Sequence, residues 1–212
     1  MLLGMQLIMN RLIVMTKYPE PGQTKTRLIP ALGVGGAAKL HRRLVIHTVK
    51  TIRSFNPEIH YSGGNQRLMY DWLGDFKYVS QSNGDLGDRM KQAFQLGFDE
   101  GCDRIIMIGT DCPAIDEALI DRAFLALNRT DVIFGPAVDG GYYLIGLTKQ
   151  ILELFSNIPW STASVLQDSL AIVKKLNLSY ELLEILPDID RPEDLQYLKA
   201  DIWLADIGVA DQ

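Results

Sequence analysis

Apolar residues recur along this chain in two alternating rhythms. Short unbroken runs at 12–16, 59–62, 78–80 and 104–108 are rich in aliphatic and β-branched side chains, as strands are. Between them, apolar positions return every three or four residues. In 86–98, Leu86, Met90, Phe94 and Phe98 keep a strict i, i+4 spacing, which predicts a helix. Segment 37–52, with Leu40, Leu44, Val45 and Val49, reads the same way, and a further helix is expected at 116–127. Strands are expected at 132–134, 142–147 and 180–185, and helices at 163–176 and 193–199. Strands alternating with helices predict an α/β fold whose mainly parallel sheet is covered on both faces. No long linker, repeat or low-complexity tract breaks the alternation, so one domain over residues 1–212 is expected.

Composition adds bounds. A chain of 212 residues, 47% hydrophobic and 22% charged, is an ordinary globular sequence that can bury a substantial core. Its formal charge of −5 and lack of a basic block argue against a nucleic-acid partner. An acidic chain that binds phosphates must gather its few cations locally or use a divalent ion. Two cysteines, Cys102 and Cys112, make no disulfide scaffold and suit a reducing cytoplasm. The apolar stretch 1–15 is interrupted by Asn10 and Arg11, is too short for a membrane span, and precedes no small-residue cleavage site, so no membrane span or anchor is expected. Homodimerisation stays open.

Candidate chemistry gathers where the expected strands end, which is where open α/β sheets bind ligands. After 12–16 comes KYPEPGQTKTRL, a rigid turn (Pro19, Pro21, Gly22) with Lys17, Lys25 and Arg27 close by. Cations and free backbone N–H groups there suit a phosphate, although exposed surface cations would read alike. It is not a P-loop, because Pro19 and Thr24 stand where glycines are required. Gly33-Val-Gly35-Gly36-Ala37-Ala38 matches a dinucleotide fingerprint, yet no strand precedes it and it reads better as a helix entry. The run 105–108 ends in Gly109-Thr110-Asp111, whose carboxylate either holds Mg²⁺ or Mn²⁺ or forms a turn before Pro113. Asp139-Gly140-Gly141 between two strands is a hairpin turn, a close-approach surface for substrate, or both. Asp188 and Asp190, two residues apart, can share a metal, or Asp190 with Glu193 can cap the last helix. Asp85 is placed to cap the 86–98 helix, and Arg89 reaches a phosphate or pairs with Asp85 or Asp88. Thr162, in Trp160-Ser161-Thr162, is an N-cap or an acceptor contact. His41, His47 and His60 lack metal spacing and read as structural, and Cys112 reads as a small buried residue.

Taken in order, KYPEPGQTKTRL, SNGDLGDRM, IGTDCP, GPAVDGGYYLIGL, IPWST and LPDIDRPEDL resemble the bacterial glycosyltransferase-like family also called radical-SAM/selenodomain-associated transferase 1. That family belongs to the nucleotide-diphospho-sugar transferase superfamily. The resemblance covers residues 10–200 or so. More distantly, KTRL and DIDRPED resemble 2-phospholactate guanylyltransferases, and the molybdenum-cofactor nucleotidyltransferases are a further relative. The resemblance implies a three-layer αβα GT-A fold with a mixed, mainly parallel sheet. It also implies nucleotide phosphates near Lys25 and Arg27, and a divalent metal at Asp111 with an acidic partner near Asp190. Two departures stand out: a single aspartate, Asp111, where such glycosyltransferases carry Asp-x-Asp, and a Pro-Glu-Pro-Gly turn where nucleotidyltransferases carry a glycine-rich loop.

Three functions follow as expectations. The first is glycosyl transfer from a nucleotide-sugar to a small-molecule acceptor, with Asp139 as base and Lys25 and Asp111 in the catalytic centre. The second is nucleotidyl transfer from an NTP to a phosphorylated small molecule, releasing pyrophosphate. The third is a nucleotide-binding module without catalysis.

Overall fold

The computed structural model of the protein describes residues 8–199 together with Trp203 and Ile207. Seven strands form one sheet: β1 (Asn10–Lys17), β2 (Glu58–Ser62), β3 (Lys77–Ser80), β4 (Arg104–Ile108), β5 (Val132–Pro136), β6 (Tyr142–Leu147) and β7 (Tyr180–Leu182). Their order across the sheet is β3-β2-β1-β4-β6-β5-β7. The chain runs parallel throughout except at β6, which is antiparallel to both β4 and β5. The sheet is therefore mixed and mainly parallel.

Among the described residues five α-helices cover it: α1 (Ile29–Thr51), α2 (Gln66–Leu73), α3 (Leu86–Asp99), α4 (Glu117–Ala126) and α5 (Val165–Lys175). Successive strand residues point to opposite faces. Val14 and Ile106 accordingly join Val45, Met69 and Phe124 in one apolar layer, with α1, α2 and α4. Ile13 and Ile105 join Phe94, Phe134 and Val173 in the other, with α3 and α5. A third, smaller cluster matters for function. Leu28, Leu32 and Leu40 pack on Ile189, so the loop after β1 is pinned against the segment after β7.

Helix starts follow their caps. Asn65, Asp85 and Asp116 each accept a backbone N–H three residues on, opening α2, α3 and α4. Some expectations are revised. The 37–52 pattern is the later part of a longer α1, which kinks where Gly33 leaves helical geometry (φ 68°, ψ 168°). The expected strand 180–185 closes early at Leu182, but Leu183 and Leu186 still donate to β5 carbonyls, so the chain keeps its course beside β5. Segment 193–199 is a 3-10 helix at Pro192–Tyr197 rather than an α-helix. Helix α2 has no counterpart in the expectations. No helix among the described residues is long and apolar enough to cross a membrane. The first seven residues of the apolar N-terminal stretch lie outside the described residues.

Candidate active site

Parallel β1 and β4 end at the same edge of the sheet, and antiparallel β6 begins there. This topology opens a cavity of about 410 Å³. Thr16 and Lys17 reach it from β1, Thr110 and Asp111 from beyond β4, Asp139 and Gly141 from the β5–β6 hairpin, and Asp188 and Asp190 from beyond β7.

The cations of the first loop are drawn into ion pairs across this edge. Lys25 adopts a left-handed backbone (φ 49°, ψ 42°), a conformation that non-glycine residues hold only when their surroundings enforce it. Its side chain is 3% exposed, so it is no surface cation. The ammonium donates to Asp111 Oδ1 at 2.8 Å and to the Ile189 carbonyl, and stands 3.8 Å from Asp190 Oδ1. Arg27 pairs with the other oxygen of Asp190. Lys17 donates to the Gln23 carbonyl at 2.8 Å and lines the cavity. Gly22 shapes the same loop at positive φ.

Asp190 is not the cap of the last helix. Asp194 accepts the N–H groups of Asp190 and Arg191 at 3.0 and 2.7 Å, which leaves the Asp190 carboxylate to Arg27 and Lys25. Asp188 lines the same cavity. Burial first, then the charges of Asp139 and Asp111, push its carboxyl up to about 6. Among the described residues no cation pairs with Asp139 or Asp188.

Asp139 sits in a hairpin turn that also faces the cavity. Its Oδ1 accepts the Gly141 N–H at 2.8 Å. A Cβ at Gly140 (φ 90°) would run into the Ala163 carbonyl, and the Gly140 carbonyl accepts the Leu166 N–H at 3.0 Å. The glycine therefore locks the hairpin to the start of α5, and Gly141 is the one that borders the cavity. Thr162 also borders it, donating to the Pro159 carbonyl at 2.7 Å. It is not the helix cap, because Ser164 occupies that position. Arg89 lies apart, in a second groove with Gln92 and Asp99, and donates to the Gly84 carbonyl at 3.1 Å rather than to Asp85 or Asp88.

One histidine read as structural reaches the cavity. His41, on the buried face of α1, has Nε2 2.8 Å from the Lys17 carbonyl, so Nε2 carries the proton it donates. Burial lowers its pKa and keeps the ring neutral. The signal for it was a polar residue beside Leu40 on an apolar helix face. Cys112 is buried and its thiol is pushed up to about 11, which suits a packing residue rather than a nucleophile.

Asp111, Asp139 and Asp188 bring carboxylate oxygens, the ligand type that hard divalent cations prefer, to one edge of the cavity. Among the described residues no three such side chains already close a metal cage. Mg²⁺ in particular is commonly held by one or two carboxylates and completed by water and substrate phosphates.

The sheet order and the cavity invite comparison with known proteins. The model of the bacterial family described as "Uncharacterized protein conserved in bacteria (DUF2064)" matches residues 45–162, more than half of the chain. The chain belongs to this family. A candidate nucleotide-diphospho-sugar transferase from Desulfovibrio desulfuricans G20 is 33% identical, with 91% of this chain and 88% of that one covered and a TM-score of 0.84. The inositol-1-phosphate CTP transferase of T. maritima is 15% identical over 97% of this chain and 100% of its own, with a TM-score of 0.58. A manganese complex of Rv0371C from Mycobacterium tuberculosis H37Rv is 13% identical over 92% and 100%, with a TM-score of 0.56. The last two likenesses establish the fold alone. No curated protein matches the chain. Architecture and comparisons agree on the three-layer nucleotide-diphospho-sugar transferase fold of GT-A type.

Proposed function

We propose that the protein is a divalent-metal-dependent transferase that moves a sugar from a nucleotide-diphospho-sugar to the hydroxyl of a small-molecule acceptor. The observation that carries this reading is the charge layout of the crevice. Its cations are engaged: Lys25 by Asp111 and the Ile189 carbonyl, Arg27 by Asp190, Lys17 by a carbonyl. Asp139 and Asp188 pair with no cation, and Lys17 with no carboxylate, which leaves the crevice with a surplus of carboxylates among the described residues. Such a crevice needs a metal ion to accept a nucleotide's phosphates, and a diphosphate brings it less negative charge than a triphosphate does. The Desulfovibrio relative carries a matching description.

Asp111 and Asp188 would hold Mg²⁺ or Mn²⁺, and Asp190, expected as the second ligand, is the alternative once Arg27 turns to a phosphate. When bound, the ion would neutralise the departing diphosphate. Lys25 fixes the Asp111 carboxylate in place and balances its charge. Lys17, Arg27 and the backbone around Gly22 form the edge that meets the nucleotide phosphates. Asp139, held by the Gly141 N–H, takes the proton of the acceptor hydroxyl as the sugar carbon is attacked. Gly141 and Thr162 border the acceptor. A general base contributes about 10²–10⁴-fold. Asp139→Asn is therefore expected to lower kcat by that order while nucleotide binding persists, measured as nucleoside diphosphate release from the cognate nucleotide-sugar. Undiminished turnover in the variant would remove Asp139 from this role. Pyrophosphate release from an NTP with a phosphorylated acceptor, and no cleavage of nucleotide-sugars, would replace the reading with nucleotidyl transfer.

A further inference from the structure

The wall of the crevice away from the aspartates has a different chemistry. Leu86 opens α3 and is 45% exposed beside the cavity. Met90 follows one turn later on the same helix face. Tyr142 of β6, Trp160 and Val165 at the start of α5 complete the surface. The side chains offered here are mainly aliphatic, thioether and aromatic, with the hydroxyls of Ser161 and Thr162 at the margin.

Trp160 packs against Tyr142 and Gly87. Its ring meets Tyr142 edge-on, with centroids 6.5 Å apart at 85°. A Cβ at Gly87 would lie 2.6 Å from Trp160 Nε1 and 2.5 Å from the Phe155 carbonyl oxygen, so glycine there makes room for the indole. The next residue, Ser161, holds a left-handed backbone (φ 65°), a strained conformation that marks functional turns more often than idle ones. An aromatic platform fixed before binding loses little freedom when a ligand lands on it.

Resting on the transfer reaction proposed above, we infer that the acceptor is an uncharged hydroxyl compound with a flat apolar body, seated on Trp160, Tyr142, Leu86, Met90 and Val165 with its hydroxyl turned to Asp139. The wall and the base adjoin, because the Asp139 hairpin packs on Ala163 and bonds to the Leu166 N–H. A polyhydroxylated acceptor would leave most of its hydroxyls without partners on such a wall. An anionic one would meet the Asp139 carboxylate, which lines the cavity and pairs with no cation among the described residues. In the transfer, the bond between the sugar's anomeric carbon and the diphosphate oxygen breaks, and the leaving nucleoside diphosphate keeps the electron pair. The acceptor oxygen bonds to that carbon and its proton passes to Asp139.

Isothermal titration of the full chain with 4-methylumbelliferone, a flat hydroxylated aromatic, tests the wall without needing turnover. Saturable one-to-one binding is expected, weakened about tenfold or more by Trp160→Ala and by Leu86→Ser and retained by Trp160→Phe. Leu86→Ser alters an exposed side chain, so it keeps the test intact if Trp160→Ala fails to fold. No binding, equal binding by both truncated variants, or equal binding of 4-methylumbelliferyl phosphate would overturn the inference. Binding without any sugar transfer would sink the transfer reaction and leave the wall standing. Transfer to polar acceptors without methylumbelliferone binding would do the reverse.

Discussion

Lys25 decides much of the site's character. It sits 86 residues from Asp111 in sequence, yet its ammonium is buried against that carboxylate and the Ile189 carbonyl. Replacing it with Met removes the charge and the donors but keeps the length. The buried Ile189 carbonyl would lose its partner, and Asp111 and Asp190 would keep unbalanced charge, although both are partly solvated. A loss of about 1–3 kcal/mol is expected, read as a lower urea midpoint with unchanged slope. An unchanged midpoint would mean that the pair contributes nothing. Asp188 makes the opposite prediction. Its folded carboxyl, near 6 against a usual value of 3.8, binds a proton that the unfolded chain has released between those values. The folded state therefore loses stability from this group as pH rises from about 4 to 6, and the deficit is complete above 6. In chelator-treated protein, Asp188→Asn should melt higher than wild type at pH 8, with the difference vanishing by pH 4. A difference independent of pH would contradict this. The chemical identity of these residues was legible in the chain. What Lys25 touches was not, because an ion pair across 165 residues to Asp190 leaves no local pattern. The same holds for His41, whose partner is a carbonyl on another element.

Among the elements, strongly periodic ones were read directly. Helix α3 repeats an apolar residue every fourth position, and β4 is an uninterrupted apolar run, so both fall where the pattern puts them. Helix α2 escaped because its sequence, QRLMYDWL, is short and buries only Met69 and Trp72. The end of β7 loosened because pairing to β5 thins beyond Leu182, at the same level as the register shift at Gly135/Pro136. The β5–β6 hairpin and α5 meet at a contact that tolerates no side chain at Gly140. Gly140→Ala would both clash with the Ala163 carbonyl and strain a backbone at φ 90°. It should cost about 1–3 kcal/mol and displace Asp139, so activity should fall by more than the lost folded fraction explains. Full activity per folded molecule would show that the hairpin does not position the base.

At the scale of the molecule, one sheet edge collects residues from four separate stretches: 17–27, 109–112, 139–142 and 188–190. Parallel β1 and β4 aim two of them there, the lone antiparallel strand adds the hairpin, and the Leu28–Ile189 cluster draws in the last. The α/β class and the strand-end position of the chemistry were visible in the alternating pattern. The division of the crevice into an acidic wall and an apolar wall emerges only when distant stretches fold together. Phosphorus NMR of the protein with Mg²⁺, a panel of nucleotide-sugars and a flat aromatic alcohol tests the proposed reaction most directly. Nucleoside diphosphate resonances should grow with time, vanish with chelator and vanish in Asp111→Ala. Unchanged nucleotide-sugars, alongside pyrophosphate growing from an NTP control with a phosphorylated acceptor, would contradict it.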